Sequence, residues 1–135
     1  MKKRILKISL VIVLIALIIL LAVWIVAVLP KDKGDYRIED YTEELELFKY
    51  DSEKTYDEVH NIYDACWIAT NAVSEKFPEE RFLLFSTEYE RWVYYDRESD
   101  TWFVYFPPSD PRLLGGEYAC VIASDGEVIA CWGYK

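Results

Sequence analysis

Hydrophobic and polar positions mark out three stretches before Pro78. Ile8 to Leu29 is an apolar run of 22 residues in which Ser9 is the one polar member. At about 1.5 Å rise per residue, a helix of that length reaches roughly 33 Å, enough to cross a hydrocarbon core of about 30 Å. Pro30 ends the run, and Lys31-Asp32-Lys33-Gly34-Asp35 reads as a polar exit. From Tyr36 to Lys49, Ile38, Tyr41, Leu45 and Phe48 recur at near-helical spacing. This fits either a short amphipathic helix or an irregular stalk. The third stretch carries the strongest periodicity. Val59, Ile62, Tyr63, Cys66, Ala69, Val73 and Phe77 step by three and four, and Pro78 stops the pattern. Thr55, three residues before Glu58, matches a capping box, so the spacing predicts a helix over Thr55 to Lys76.

Beyond Pro78 the periods shorten. Phe82 to Phe85, Glu90 to Tyr95 and Thr101 to Phe106 are rich in Trp, Tyr, Val and Phe and suit strands. Arg97 to Asp100 is a polar four-residue turn, which pairs positions summing to 197. Glu117 to Ser124 and Glu127 to Gly133 flank Asp125-Gly126, a pair favoured in type I′ turns. One helix followed by antiparallel strands is an α+β pattern. The expected architecture is one N-terminal transmembrane helix, then a long helix packed on a curved antiparallel sheet of four or five strands. The expected divisions are 1–30 as basic flank and anchor, 31–54 as linker with a short amphipathic helix, and 55–135 as the α+β domain.

Charge sets the topology. Lys2, Lys3, Arg4 and Lys7 precede the apolar run, and only Lys31 and Lys33 follow it closely. The positive-inside rule then leaves the N-terminus in the cytoplasm of a single-pass plasma-membrane protein and the C-terminal domain outside. A cleaved signal peptide usually has an apolar stretch of about 7–15 residues and a small-x-small site. The longer run and the poor site Ile25-Val26-Ala27 favour a retained anchor. All 24 acidic residues lie beyond residue 30 with 11 of the 15 basic ones, a balance of −13. Such a surface argues against nucleic acid, whose phosphates demand basic residues, and suits either plain solvation or a basic protein partner.

Candidate chemistry is sparse. His60 and Asp64 are four residues apart on the expected helix, an arrangement that either orients an imidazole or is a plain surface pair. No nucleophile elbow, phosphate loop or HExxH motif occurs, and three Cys with one His lack zinc spacing. The expectation is a non-enzymatic protein without cofactor. A two-residue loop at Asp125-Gly126 pairs positions summing to 251, so Cys120 faces Cys131 and Ile122 faces Ile129. A disulfide between Cys120 and Cys131 is then within reach. A three-residue loop shifts the sum to 250 and separates them, and Cys66 bridged to the sheet is the alternative. In the other hairpin one face carries Val93, Tyr95, Trp102, Val104 and Phe106, and the second carries Trp92, Tyr94, Phe103 and Tyr105. The helix covers one. The second either meets a partner or ligand, or is covered by Ile38, Tyr41 and Phe48.

The order of helix, Thr101-Trp102-Phe103-Val104-Tyr105-Phe106, Gly115-Gly116-Glu117-Tyr118-Ala119-Cys120-Val121-Ile122 and Ser124-Asp125-Gly126-Glu127-Val128-Ile129 resembles the small NTF2-fold (cystatin-like) immunity proteins of bacteria. Ala65, Ala69 and Ala72 stand for their Ala-rich helix, and Trp102 with Val104 for their Trp-x-Val strand. The resemblance spans about residues 56 to 134. PepSY-like domains, which end in a similar hairpin, are the second candidate. The first resemblance implies neutralisation of a toxin by surface complementarity, without catalysis. The second implies an envelope module that senses or restrains an exported hydrolase.

Overall fold

The computed structural model describes residues 1–51, 54–112 and 116–134. The apolar run forms helix α1, Lys2–Val28, with mean hydropathy 3.5 across its most apolar window. It is long and apolar enough to cross a membrane. None of that window is buried within the protein. Leu29 adopts an extended conformation, as the residue before a proline must.

Only Leu29 and Pro30 separate α1 from strand β1, Lys31–Asp35. The expected polar linker is therefore part of the sheet. β1 gave no signal because its four side chains are all polar and exposed, and it joins the sheet through its backbone. A 3-10 turn, Ile38–Tyr41, and helix α2, Thr42–Leu47, follow. Helix α3 spans Ile62–Lys76, seven residues shorter at its start than the capping box at Thr55 suggests. Asn61 is the actual cap, its side chain accepting from the Asp64 amide at 2.9 Å, while Asp64 accepts from the His60 amide at 3.0 Å. The backbone upstream is used elsewhere: the Val59 amide donates to Ser124 O at 2.8 Å. Phe82 to Phe85 is not a strand but a 3-10 turn over Leu83–Phe85.

Strands β2 (Trp92–Asp96), β3 (Thr101–Phe106), β4 (Glu117–Ala123) and β5 (Val128–Tyr134) form an antiparallel meander. β1 joins β2 in parallel, so the five-stranded sheet is mixed rather than antiparallel. The β2–β3 register pairs Trp92 with Tyr105 and Val93 with Val104, as the four-residue turn requires. The last hairpin differs from its expected form. Gly126 N donates to Ala123 O at 2.9 Å and Ala123 N to Glu127 O at 2.8 Å, closing a three-residue loop. Among the loop residues only Gly126 has positive φ, +94°, which is the turn-plus-bulge solution and not type I′. A bulge then places Ile122 opposite Val128, not Ile129, and restores Cys120 opposite Cys131. Beyond β5, the Cys131 amide donates to Phe48 O at 3.2 Å and the Tyr50 amide to Ile129 O at 3.1 Å, covering that sheet edge.

Helix α3 covers one sheet face. Ala65, Ala69, Ala72 and Val73 are fully buried against Val93, Val104, Phe106, Cys120 and Ile122. The alanines let the helix axis come close to the sheet. Behind α3, the buried Arg91, 2 % exposed, sends its guanidinium to Leu83 O at 2.6 Å, Ser86 O at 2.9 Å and Tyr89 O at 3.1 Å. Burial pulls its pKa below the ordinary value. Of the Gly115-Gly116 pair, Gly115 lies outside the described residues. Gly116 has φ +80°.

Candidate functional site

The opposite sheet face holds the second cluster. Register and the two-residue side-chain period set two cross-strand rows there. One runs Trp92, Tyr105, Ala119, Trp132, and the other Tyr94, Phe103, Val121, Ala130. Large rings thus flank a floor of small residues. The N-terminal segment lies on part of this face: Tyr41 stacks on Phe103 with centroids 4.7 Å apart, Tyr36 meets Phe103 at 5.4 Å, and Phe48 stacks on Trp132 at 6.1 Å. Ile38 and Leu45 pack beside them.

Cover is incomplete. An open groove of about 510 Å³ remains, lined by Tyr36, Tyr41, Tyr94, Phe103, Tyr105 and Trp132 over Ala119, with Asp35 and Glu117 contributing carboxylates. The N-terminal segment therefore covers this face only in part. Of the four residues expected on it, Tyr94, Phe103 and Tyr105 line the groove. Trp92 lies beside it, edge-on to Tyr105 at 5.8 Å and beneath the Lys33 ammonium at 4.4 Å. Trp132, Asp35 and Glu117 were not singled out by sequence. The first follows from pairing Trp132 with Ala119, but the carboxylates depend on β1 and on the start of β4.

Asp96 anchors the cover. Its carboxylate is 8 % exposed and accepts from the Ile38 amide at 3.1 Å, the Glu98 amide at 3.1 Å and Ser99 Oγ at 2.8 Å. Ser99 Oγ lies 2.7 Å from Thr101 Oγ1, which in turn hydrogen-bonds the Tyr36 hydroxyl at 2.5 Å. Burial pushes the Tyr36 pKa up to about 12, so the phenol stays protonated. The Ile38 amide, then Ser99, hold the Asp96 carboxyl below its ordinary range. A depressed folded pKa contributes stability above the ordinary carboxylate pKa of about 4, and that stability is lost as pH falls through the folded value. The protection of the Ile38 amide, its exchange rate relative to an unstructured amide at the same pH, is accordingly expected to fall below about pH 4. Asp96→Ala is expected to show the reduced protection already at neutral pH. An unchanged Ile38 rate in that variant contradicts the anchoring role.

The other sequence candidates separate. His60 does not meet Asp64 through its imidazole: Nε2 lies 3.9 Å from the Glu58 carboxylate, and both side chains are exposed. His60 shares an open polar cleft with Tyr95, Asp100 and Ser124, where Ser124 Oγ donates to Asp100 Oδ1 at 2.7 Å rather than to the imidazole. Cys120 and Cys131 are fully buried thiols with Sγ atoms 2.8 Å apart, whereas Cys66 lies apart, its sulfur 4.0 Å from Thr70 Oγ1. Burial, then the facing Cys131, raises the Cys120 pKa well above its ordinary value. Among the described residues no cluster of His, Cys, Asp or Glu is placed to hold a metal ion.

Aromatic faces attract cations through their quadrupole, and flanking carboxylates add Coulomb attraction. The groove therefore suits a Lys or Arg side chain with its apolar stem laid along the rings. Compared with known proteins, the chain matches no family model, no curated protein and no solved structure.

Proposed function

We propose that this protein is a membrane-anchored, non-enzymatic binding module that takes a basic segment of a protein partner into the aromatic groove. The observation that carries this is the groove's composition: six aromatic side chains and two carboxylates, with no basic residue among them. The acidic balance of the domain supports the same partner chemistry by steering a basic protein toward it. In the finer form of this reading the domain is NTF2/cystatin-like, faces the outside of the plasma membrane, and neutralises a basic toxin as the resembling immunity proteins do. A second reading is a small ligand, favoured by a groove volume within the roughly 300–1,000 Å³ typical of such sites.

The test is capture from the protein's own culture on the full chain in detergent, compared with Tyr94→Ala/Tyr105→Ala. Both side chains are half-buried at the groove, so the variant keeps the core. The native chain is expected to retain a basic protein and the variant to bind it roughly 30-fold more weakly or worse, as for a lost interface hot spot. Equal binding by the two rejects the groove as the contact. Capture of a peptidase in place of a toxin favours the PepSY-like alternative, and a cationic small molecule protecting the groove favours the second reading.

A further inference from the structure

We infer that the turn around Leu83–Phe85 is a second membrane contact, seating Phe82, Leu84 and Phe85 in the lipid headgroup boundary beside the end of α1. The inference rests on the membrane-spanning reading of α1. Leu83 is fully buried and pins the turn to the domain, while Phe82, Leu84 and Phe85 are 65 %, 37 % and 59 % exposed. Three large apolar side chains facing outward on four successive residues is a costly surface in water.

The occupant is indicated by what touches the turn. The Trp24 indole N–H donates to Phe85 O at 3.1 Å, and the two rings stack with centroids 6.0 Å apart. Trp24 precedes Leu29 by five residues, about 7–8 Å along the helix axis. This is the depth at which tryptophan anchors transmembrane helices, and at which interfacial apolar groups settle. Phe85 shares that depth through direct contact. The apolar surface of the turn is thus continuous with the lipid-facing surface of α1. Arg81, whose guanidinium lies 5.0 Å over the Phe82 ring, supplies a cation for anionic headgroups at the same level. The turn is braced from within by the Arg91 guanidinium on Leu83 O and Ser86 O, so little ordering is needed for it to enter the interface. Two attachments, α1 and this turn, fix the tilt of the domain on the bilayer.

Nitroxide labels at Phe82→Cys, at Glu43→Cys on exposed α2, and at Leu17→Cys within α1 test this in the full chain, in vesicles of phosphatidylcholine and phosphatidylglycerol. The native cysteines are buried, so label goes to the introduced thiol. Residue 82 is expected to collide more often with oxygen than with a water-soluble nickel chelate, and residue 43 the reverse, a several-fold difference in the ratio. If residue 82 matches residue 43 while residue 17 reports deep burial in lipid, the turn proposal is overturned alone. If residue 17 itself meets the chelate, the spanning reading falls and takes this proposal with it.

Discussion

Gly126→Ala is expected to lower the melting temperature of the full chain in detergent by roughly 12–20 °C, corresponding to about 3 kcal/mol for a domain of this size. Two costs combine. The residue sits at φ +94°, where an L side chain is strained. A Cβ there would also stand 2.5 Å from Tyr56 O and against Asp57 O, both backbone atoms that cannot swing aside. Gly34 separates the two costs. It has φ +96° with no atom within 4 Å of where a Cβ would stand. Gly34→Ala is therefore expected to lose only the conformational part, about 1 kcal/mol. Equal shifts for the two variants would show that residues 55–60 are not seated on the last hairpin.

Arg91→Met is expected to cost about 3 kcal/mol, read as a lower urea midpoint. The methionine keeps most of the stem volume but none of the donors. The carbonyls of Ser86 and Tyr89 lose the guanidinium, Leu83 O keeps only the Ser86 amide, and an unmade hydrogen bond there is more expensive than a made one is favourable. Local exchange at residues 83–86 should rise further than elsewhere. Arg91→Lys is expected to recover only part of the loss, since one ammonium lacks the planar fork that spans three carbonyls. A midpoint unchanged by Arg91→Met would mean that water replaces the guanidinium at no cost.

How far these elements were legible from sequence depended on how locally each is specified. The β2–β3 register followed from the turn at Arg97–Asp100 alone, and so did the division of its side chains between two faces. The facing of Cys120 and Cys131 was reached by a different route from the one the chain takes. The loop is one residue longer than expected, and a bulge on β5 subtracts the difference. Sequence pattern cannot weigh two such compensating irregularities. Thr55 and Asn61 both carry an acidic residue three positions on, and only the docking of residues 56–59 on the last hairpin decides for Asn61. Strand β1 was illegible because its side chains are all polar and exposed and it pairs into the sheet through its backbone. The groove inherits both conditions. Its rings on β2 and β3 were visible as an alternating pattern, while Asp35 belongs to the strand that sequence concealed.

The two-residue join between α1 and β1 limits where the protein can act. A flexible tether of many residues would let a domain sweep a volume that grows with tether length. Leu29-Pro30 grants no such freedom, and β1 is hydrogen-bonded into the sheet from its first residue. The search radius is then about the width of the domain itself, some 25–30 Å for roughly a hundred residues. With α1 in a bilayer, as proposed above, the groove stays within that distance of the surface, and a partner bound to the same membrane would meet it by lateral diffusion in two dimensions.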